Sequence, residues 1–133
     1  MLRALAFALF LSYPIVALAQ ERPATDGSSE IDRLRVRAEQ GDADAQFNLG
    51  DRYVYSWVVR RNYAEAVKWY RLAAQQGNAF AQLGLGLMYE GGQGAPQDYV
   101  EAHKWYNLAA SRASGYTRNE TVKARDRMAS RMT

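Results

Sequence analysis

Apolar residues in this chain recur at steps of three and four, in short blocks separated by glycine or by clusters of polar residues. Steps of that size put side chains on one face of a helix. Ile31, Leu34 and Ala38 predict a helix over Glu30–Gln40, with Ser29 as its N-cap and Asp32 three residues on. Ala45, Leu49 and Tyr53 predict a second helix, and Ala81, Leu85 and Tyr89 predict another like it. Gly41 and Gly77 stop the helices before these two, because a helix often ends on a residue in the left-handed region. Asp42 and Asn78 then serve as N-caps. Tyr63, Ala66, Tyr70, Ala73 and Ala74 form the buried stripe of a helix over Tyr63–Ala74, which opens on the capping pattern Asn62-x-x-Glu65. Ser111–Thr117 reads as a turn. A last helix over Asn119–Met132 then carries Val122, Arg125, Met128, Ala129 and Met132 along one side, with Lys123, Arg127 and Arg131 outward.

These blocks repeat. YAEAVKWYRLAA at Tyr63–Ala74 returns as YVEAHKWYNLAA at Tyr99–Ala110, and ADAQFNLGDRY at Ala43–Tyr53 returns as AFAQLGLGLMY at Ala79–Tyr89. The offset is 36 residues in both cases, and a fixed period of that size marks a helical repeat array. Ala and Gly beside the apolar stripes (Ala45, Gly50, Ala81, Gly86) allow helices to approach closely. Trp69 and Trp105 are placed to wedge between adjacent repeats.

The pattern A-x-A-Q-x-x-L-G-x-x-Y, then a turn, then Y-x-E-A-x-K-W-Y-x-L-A-A closely resembles the Sel-1-like repeat, a relative of the tetratricopeptide repeat. The second copy also has the family's turn, GGQGAPQD at Gly91–Asp98; the first has VYSWVVRRN at Val54–Asn62, without Gly or Pro. The resemblance implies an all-α fold, a short right-handed α/α solenoid of helix-turn-helix units. On that reading 29–40 is an N-terminal half-repeat helix, 41–76 and 77–112 are two repeats, and 113–133 is a C-terminal capping helix.

The first residues have a different composition. Arg3 precedes an uncharged apolar run at Ala4–Leu11, Pro14 breaks it, and Ala17-Leu18-Ala19 supplies the small residues that a signal peptidase reads. Residues 1–19 are expected to be a cleaved signal peptide and 20–28 a linker, giving a periplasmic or secreted protein starting at Gln20. The alternative is an uncleaved anchor, although Ala4–Ala19 is short of the ~20 residues a spanning helix needs. Loss of Arg3 leaves a net charge of +2 from the 17 basic and 14 acidic residues of the chain, too little to imply nucleic acid.

Candidate chemistry is sparse. The chain has one His, His103, and no Cys, so neither a zinc site nor a nucleophile–base pair of the usual kind is expected, and no cofactor. No Ser is followed three residues later by Lys, the signature of penicillin-recognising enzymes. Gly91–Gly94 follows a helix and lacks Gly-Lys-Ser/Thr, so it is a turn and not a phosphate loop. Glu65/Lys68 and Glu101/Lys104 are i, i+3 pairs worth ~0.2–0.5 kcal/mol each.

What remains is a binding surface. In helical arrays the first helices of successive repeats line a groove. Asn48, Asp51, Arg52 and Tyr55 hold outward positions there, with Met88 in the next repeat. Trp57, Val58, Val59, Arg60 and Arg61 form the irregular loop beside it. An aromatic next to two arginines has the composition of a binding hot spot; Trp57 could equally pack onto the leading helix. The expected protein-binding residues are therefore Asn48, Arg52, Tyr55, Trp57, Arg60, Arg61 and Met88. By resemblance, exported members act as adaptors, regulators or inhibitors of a protein or peptide partner. The expectation is a monomer that performs no catalysis and contacts neither nucleic acid nor, after cleavage, membrane. A cell-wall or β-lactam hydrolase and a membrane-anchored scaffold are the alternatives.

Overall fold

The computed structural model describes residues 27–133; the expected signal peptide and residues 20–26 lie outside them. Six helices follow one another: α1 Gly27–Glu39, α2 Ala43–Tyr55, α3 Tyr63–Gln75, α4 Ala79–Gly91, α5 Tyr99–Arg112 and α6 Gly115–Met132. Each packs mainly on the next in sequence, the contact pattern of a solenoid.

The 36-residue period extends further than the residue identities do. α1 occupies the positions 36 residues before α3, so it starts at Gly27 and not after Ser29. α6 starts at Gly115, 36 residues after Ala79, with Ser114 at the cap position of Asn78. Ser111–Thr117 is therefore not one long turn: α5 runs to Arg112 and α6 begins three residues later. The stripe that α6 buries is also displaced from the expected one. It consists of Thr121, Ala124 and Met128, while Met132 is 42% exposed. Thr121 takes the place of Leu85, and it can be buried because its hydroxyl donates to the Thr117 carbonyl at 2.7 Å.

The caps form as the sequence implies. Asp42, Asn62, Asn78 and Asp98 each accept from the backbone N–H three residues on, at 2.9–3.1 Å. Gly41 and Gly77 have φ of 94° and 92°. The recurring Gln of A-x-A-Q closes a carbonyl of the preceding helix: Gln46 Nε2 donates to the Ala38 carbonyl and Gln82 Nε2 to that of Ala74, both at 3.1 Å.

The core falls into three clusters. Ile31, Ala38, Ala45 and Leu49 hold the first helices, with Trp69 and Val59 packed against them. A central cluster includes Val54, Val67, Tyr70, Leu85, Met88 and Trp105. The last joins Ala102 and Tyr106 to Ala124 and Met128. Trp69 and Trp105 thus bridge repeats as expected. Near the last cluster Glu90 on α4 receives the Tyr106 hydroxyl and both Nε and a terminal nitrogen of Arg127, at 2.9 and 3.0 Å. So Arg127, read from the sequence as an outward charge, ties α6 to α4.

Burial alone would raise the Glu90 carboxyl; the hydrogen bonds from Arg127 and Tyr106 and the Arg127 charge outweigh it and hold the group below its ordinary 4.5. A carboxyl depressed in the folded state stabilises above its unfolded pKa, and that stabilisation is lost as pH falls through the folded value. Acidification below about pH 4.5 should therefore lower the melting temperature, and Glu90→Gln should blunt that slope. At neutral pH the substitution should cost about 2 kcal/mol, with allowance for the exposure of Arg127. A parallel acid profile in wild type and Glu90→Gln would show that the clasp contributes nothing.

Candidate functional site

The loop between α2 and α3, residues 56–62, has the same length as the glycine turn between α4 and α5, and the two close in the same way. Asn62 N–H donates to the Tyr53 carbonyl and Asp98 N–H to that of Tyr89, both at 2.9 Å. Arg61 Nε donates to the Val54 carbonyl at 3.2 Å, where Gln97 Nε2 donates to that of Glu90 at 2.9 Å. The backbones between these anchors differ. Gly92 and Gly94 have positive φ, whereas no non-glycine among the described residues does. Freed of that path, Val59 packs on the first core cluster, and Val58 reaches Gly27, where a β-carbon would lie 3.0 Å from its Cγ2.

Val59 and, in part, Val58 therefore pack toward the leading helix, and Trp57 is 96% exposed. The reading in which Trp57 seats on the leading helix does not hold. Tyr55, at the end of α2, is 73% exposed beside it. Arg60 and Arg61 are both exposed on the loop. Arg61 stands with its guanidinium 5.8 Å from the Tyr63 ring centroid.

Two concavities flank this loop and share Arg61 and Tyr63. The outer one, about 640 Å³, is lined by Tyr53, Val59, Arg60, Arg61, Asn62 and Tyr63. The inner one is a groove of about 320 Å³ between the two repeats. Val54, Leu87 and Met88 provide its apolar lining, with Tyr55, Tyr63 and Tyr70 beside them and Arg61 and Gln93 contributing polar groups. Gly84 lets α4 lie against the buried Tyr70 ring; a β-carbon there would sit 3.1 Å from it. The Tyr70 hydroxyl bonds Asp51, so burial first and that bond second push the phenol well above its ordinary range. Burial also raises the Asp51 carboxyl.

The structure brings Tyr55, Arg61 and Met88 to one groove, and Asn48, Arg52 and Tyr55 to a shallower neighbouring one. Met88 is corrected in one respect: it is 4% exposed, a core residue whose edge lines the groove and not an outward side chain. Arg52 is committed to Glu30 at 2.7 Å, tying α2 to α1. Leu87, 46% exposed in the groove wall, went unnamed in the sequence reading. It lies 36 residues after Asp51, so the period that places Asp51 outward also points to Leu87. Phe80, 57% exposed and 5.9 Å from the Phe47 ring, extends the apolar surface along α4.

His103 is half-buried on α5. Among the described residues no group of three His, Cys, Asp or Glu is placed to hold a metal ion. No described helix is long and apolar enough to cross a membrane.

Stacked helix pairs with an open, aromatic-edged groove define a helical-repeat protein. The Sel1 repeat model matches residues 43–78 and 79–114, and the chain belongs to the Sel1 repeat family. Its boundaries fall two residues after those read from the glycine stops, at the first residues of α2 and α4. Among solved structures, the chain is similar to a protective antigen present in uropathogenic Escherichia coli strains that displays an SLR fold. The two are 42% identical over 67% of this chain and 19% of that one, with a TM-score of 0.65. It is also similar to a Sel1 repeat protein from Oxalobacter formigenes, 40% identical over 65% of this chain and 36% of that one, with a TM-score of 0.62. The chain thus spans well under half the length of either. No curated protein shows a significant match. The Sel1-repeat fold commonly mediates protein–protein interaction.

Proposed function

We propose that this chain is an exported, monomeric Sel1-repeat protein that binds another protein or peptide through the inner groove and the 56–62 loop, without catalysis. The observation that carries the reading is Trp57. A tryptophan that is 96% exposed beside two arginines contributes nothing to its own fold, while Trp and Arg are the residues enriched at binding hot spots. Export is supported by the Ala4–Leu11 apolar run and the Ala17-Leu18-Ala19 site. By resemblance, the role is that of an adaptor, regulator or inhibitor of that partner in the periplasm.

The test is a pull-down from the envelope fraction of the source organism, comparing the protein with a Trp57→Ala, Arg60→Gln, Arg61→Gln variant. A partner retained by the first and lost by the second, at unchanged melting temperature, is the expected result. A partner held equally by both would move the site to another face. Sequencing the mature N-terminus tests export: Gln20 is expected, and a start at Met1 would sink the cleaved-signal reading.

A further inference from the structure

Eight basic side chains among the described residues pair with Asp or Glu. Arg60 and Arg61 form no ion pair there, although they are adjacent and both exposed. Arg61 uses Nε on the Val54 carbonyl, so its terminal nitrogens remain for a ligand. Arg61 lines the groove that Val54, Leu87 and Met88 make apolar, and Arg60, next to it in the chain, lines the adjoining outer concavity. Resting on the peptide-binding reading above, we infer that the ligand is an extended acidic peptide. It seats an apolar side chain in the groove and presents an Asp or Glu carboxylate, close by in sequence, to Arg60 and Arg61.

The chemistry follows from what each part leaves unmet. A groove of about 320 Å³ takes one or two side chains. Exposed Tyr55 and Trp57 offer flat apolar faces on which a peptide backbone or ring can lie. A guanidinium accepts a carboxylate through paired N–H donors, which gives direction as well as attraction. A nucleic-acid strand would bring phosphates to the arginines but no alkyl side chain to seat among Val54, Leu87 and Met88. A lipid surface would engage the projecting Trp57 but leave the concave groove beside it unused.

The experiment selects binders from a display library of random linear peptides on the purified protein. Selected peptides are then measured against Arg60→Gln/Arg61→Gln and against Trp57→Ala. Gln is the informative replacement at 61, because Gln97 makes the equivalent loop-closing bond in the other repeat. The loop therefore keeps its anchor while the charge is lost, and an unchanged melt verifies this. Expected are peptides with Asp or Glu within a few residues of a large apolar side chain, weakened about tenfold by either variant. Peptides without acidic bias, or indifferent to the arginines, would overturn this inference and leave peptide binding standing. Selection of no peptide at all would overturn linear-peptide recognition by this groove, and with it this inference, while the pull-down decides protein binding separately. Co-sedimentation with phosphatidylglycerol vesicles would in that case assign the loop to lipid.

Discussion

Gly86→Val is expected to lower the melting temperature by more than ~15 °C, or to prevent folding altogether. A β-carbon at this position would lie 2.6 Å from Tyr106 Cε1 and 2.7 Å from Cδ1. Tyr106 cannot yield, since it is fully buried and its hydroxyl is bonded to Glu90. Overpacking a filled core costs ~1–3 kcal/mol. Driving the ring aside would also strand a buried hydroxyl, adding ~1–3 kcal/mol. Against a total stability of ~5–15 kcal/mol, that sum removes much of the margin. The control is in the same helix. At Gly91 the nearest atom to an added β-carbon is 3.7 Å away, so Gly91→Ala should be neutral or gain up to ~1 kcal/mol from helix propensity. Circular-dichroism melts of the two variants decide the matter, and equal melts would show that close approach to Tyr106 is not what this glycine is for. The first repeat repeats the arrangement: a β-carbon added at Gly50 would lie 2.7 Å from Tyr70 Cδ1.

Such contacts explain how much of the fold could be read from residues alone. The period was visible wherever the side chains repeat, from the Gly41 stop to Ala110. It was invisible where geometry repeats and identity does not. Thr121 replaces Leu85, and its self-satisfied hydroxyl buries as well as a methyl would. Ser114 holds the cap position without making a cap bond. No apolar stripe therefore announced the true start of α6. At the other end α1 begins 36 residues before α3, although Gly27 stands where Tyr63 does. Counting the period would have placed both helices better than their own patterns did.

The binding surface was legible in composition and not in placement. Tyr55, Arg60 and Arg61 are exposed, as their polar setting suggests. Met88 is buried because it packs into the central cluster with Val54 and Val67. Whether Trp57 or its two valines would cover the leading helix could not be settled by residue type, since all three are apolar. The space beside Gly27 accommodates a valine, and that choice leaves Trp57 in solvent.

Gly94→Val tests the wall of the groove from its other side and is expected to be as damaging as Gly86→Val. Here two penalties coincide. Gly94 has φ of 73°, a conformation that costs a branched side chain ~1–2 kcal/mol. A β-carbon there would also run into the Tyr63 carbonyl oxygen, and backbone cannot swing aside as a side chain does. Either the 92–98 turn lifts or the start of α3 shifts, and both carry groove residues, Gln93 and Tyr63. The combined loss should be about 3 kcal/mol or more. Gly41→Ala separates the two penalties. Its φ is 94°, yet nothing lies within 4 Å of an added β-carbon, so only the conformational cost of ~1 kcal/mol should appear. Hydrogen exchange gives the local readout. The amides of Gln93 and Asp98, bonded to the Met88 and Tyr89 carbonyls, should lose protection in Gly94→Val before those of α2 do. If protection is lost evenly along the chain, the turn is not a separable unit, and the groove depends on the whole array and not on this contact.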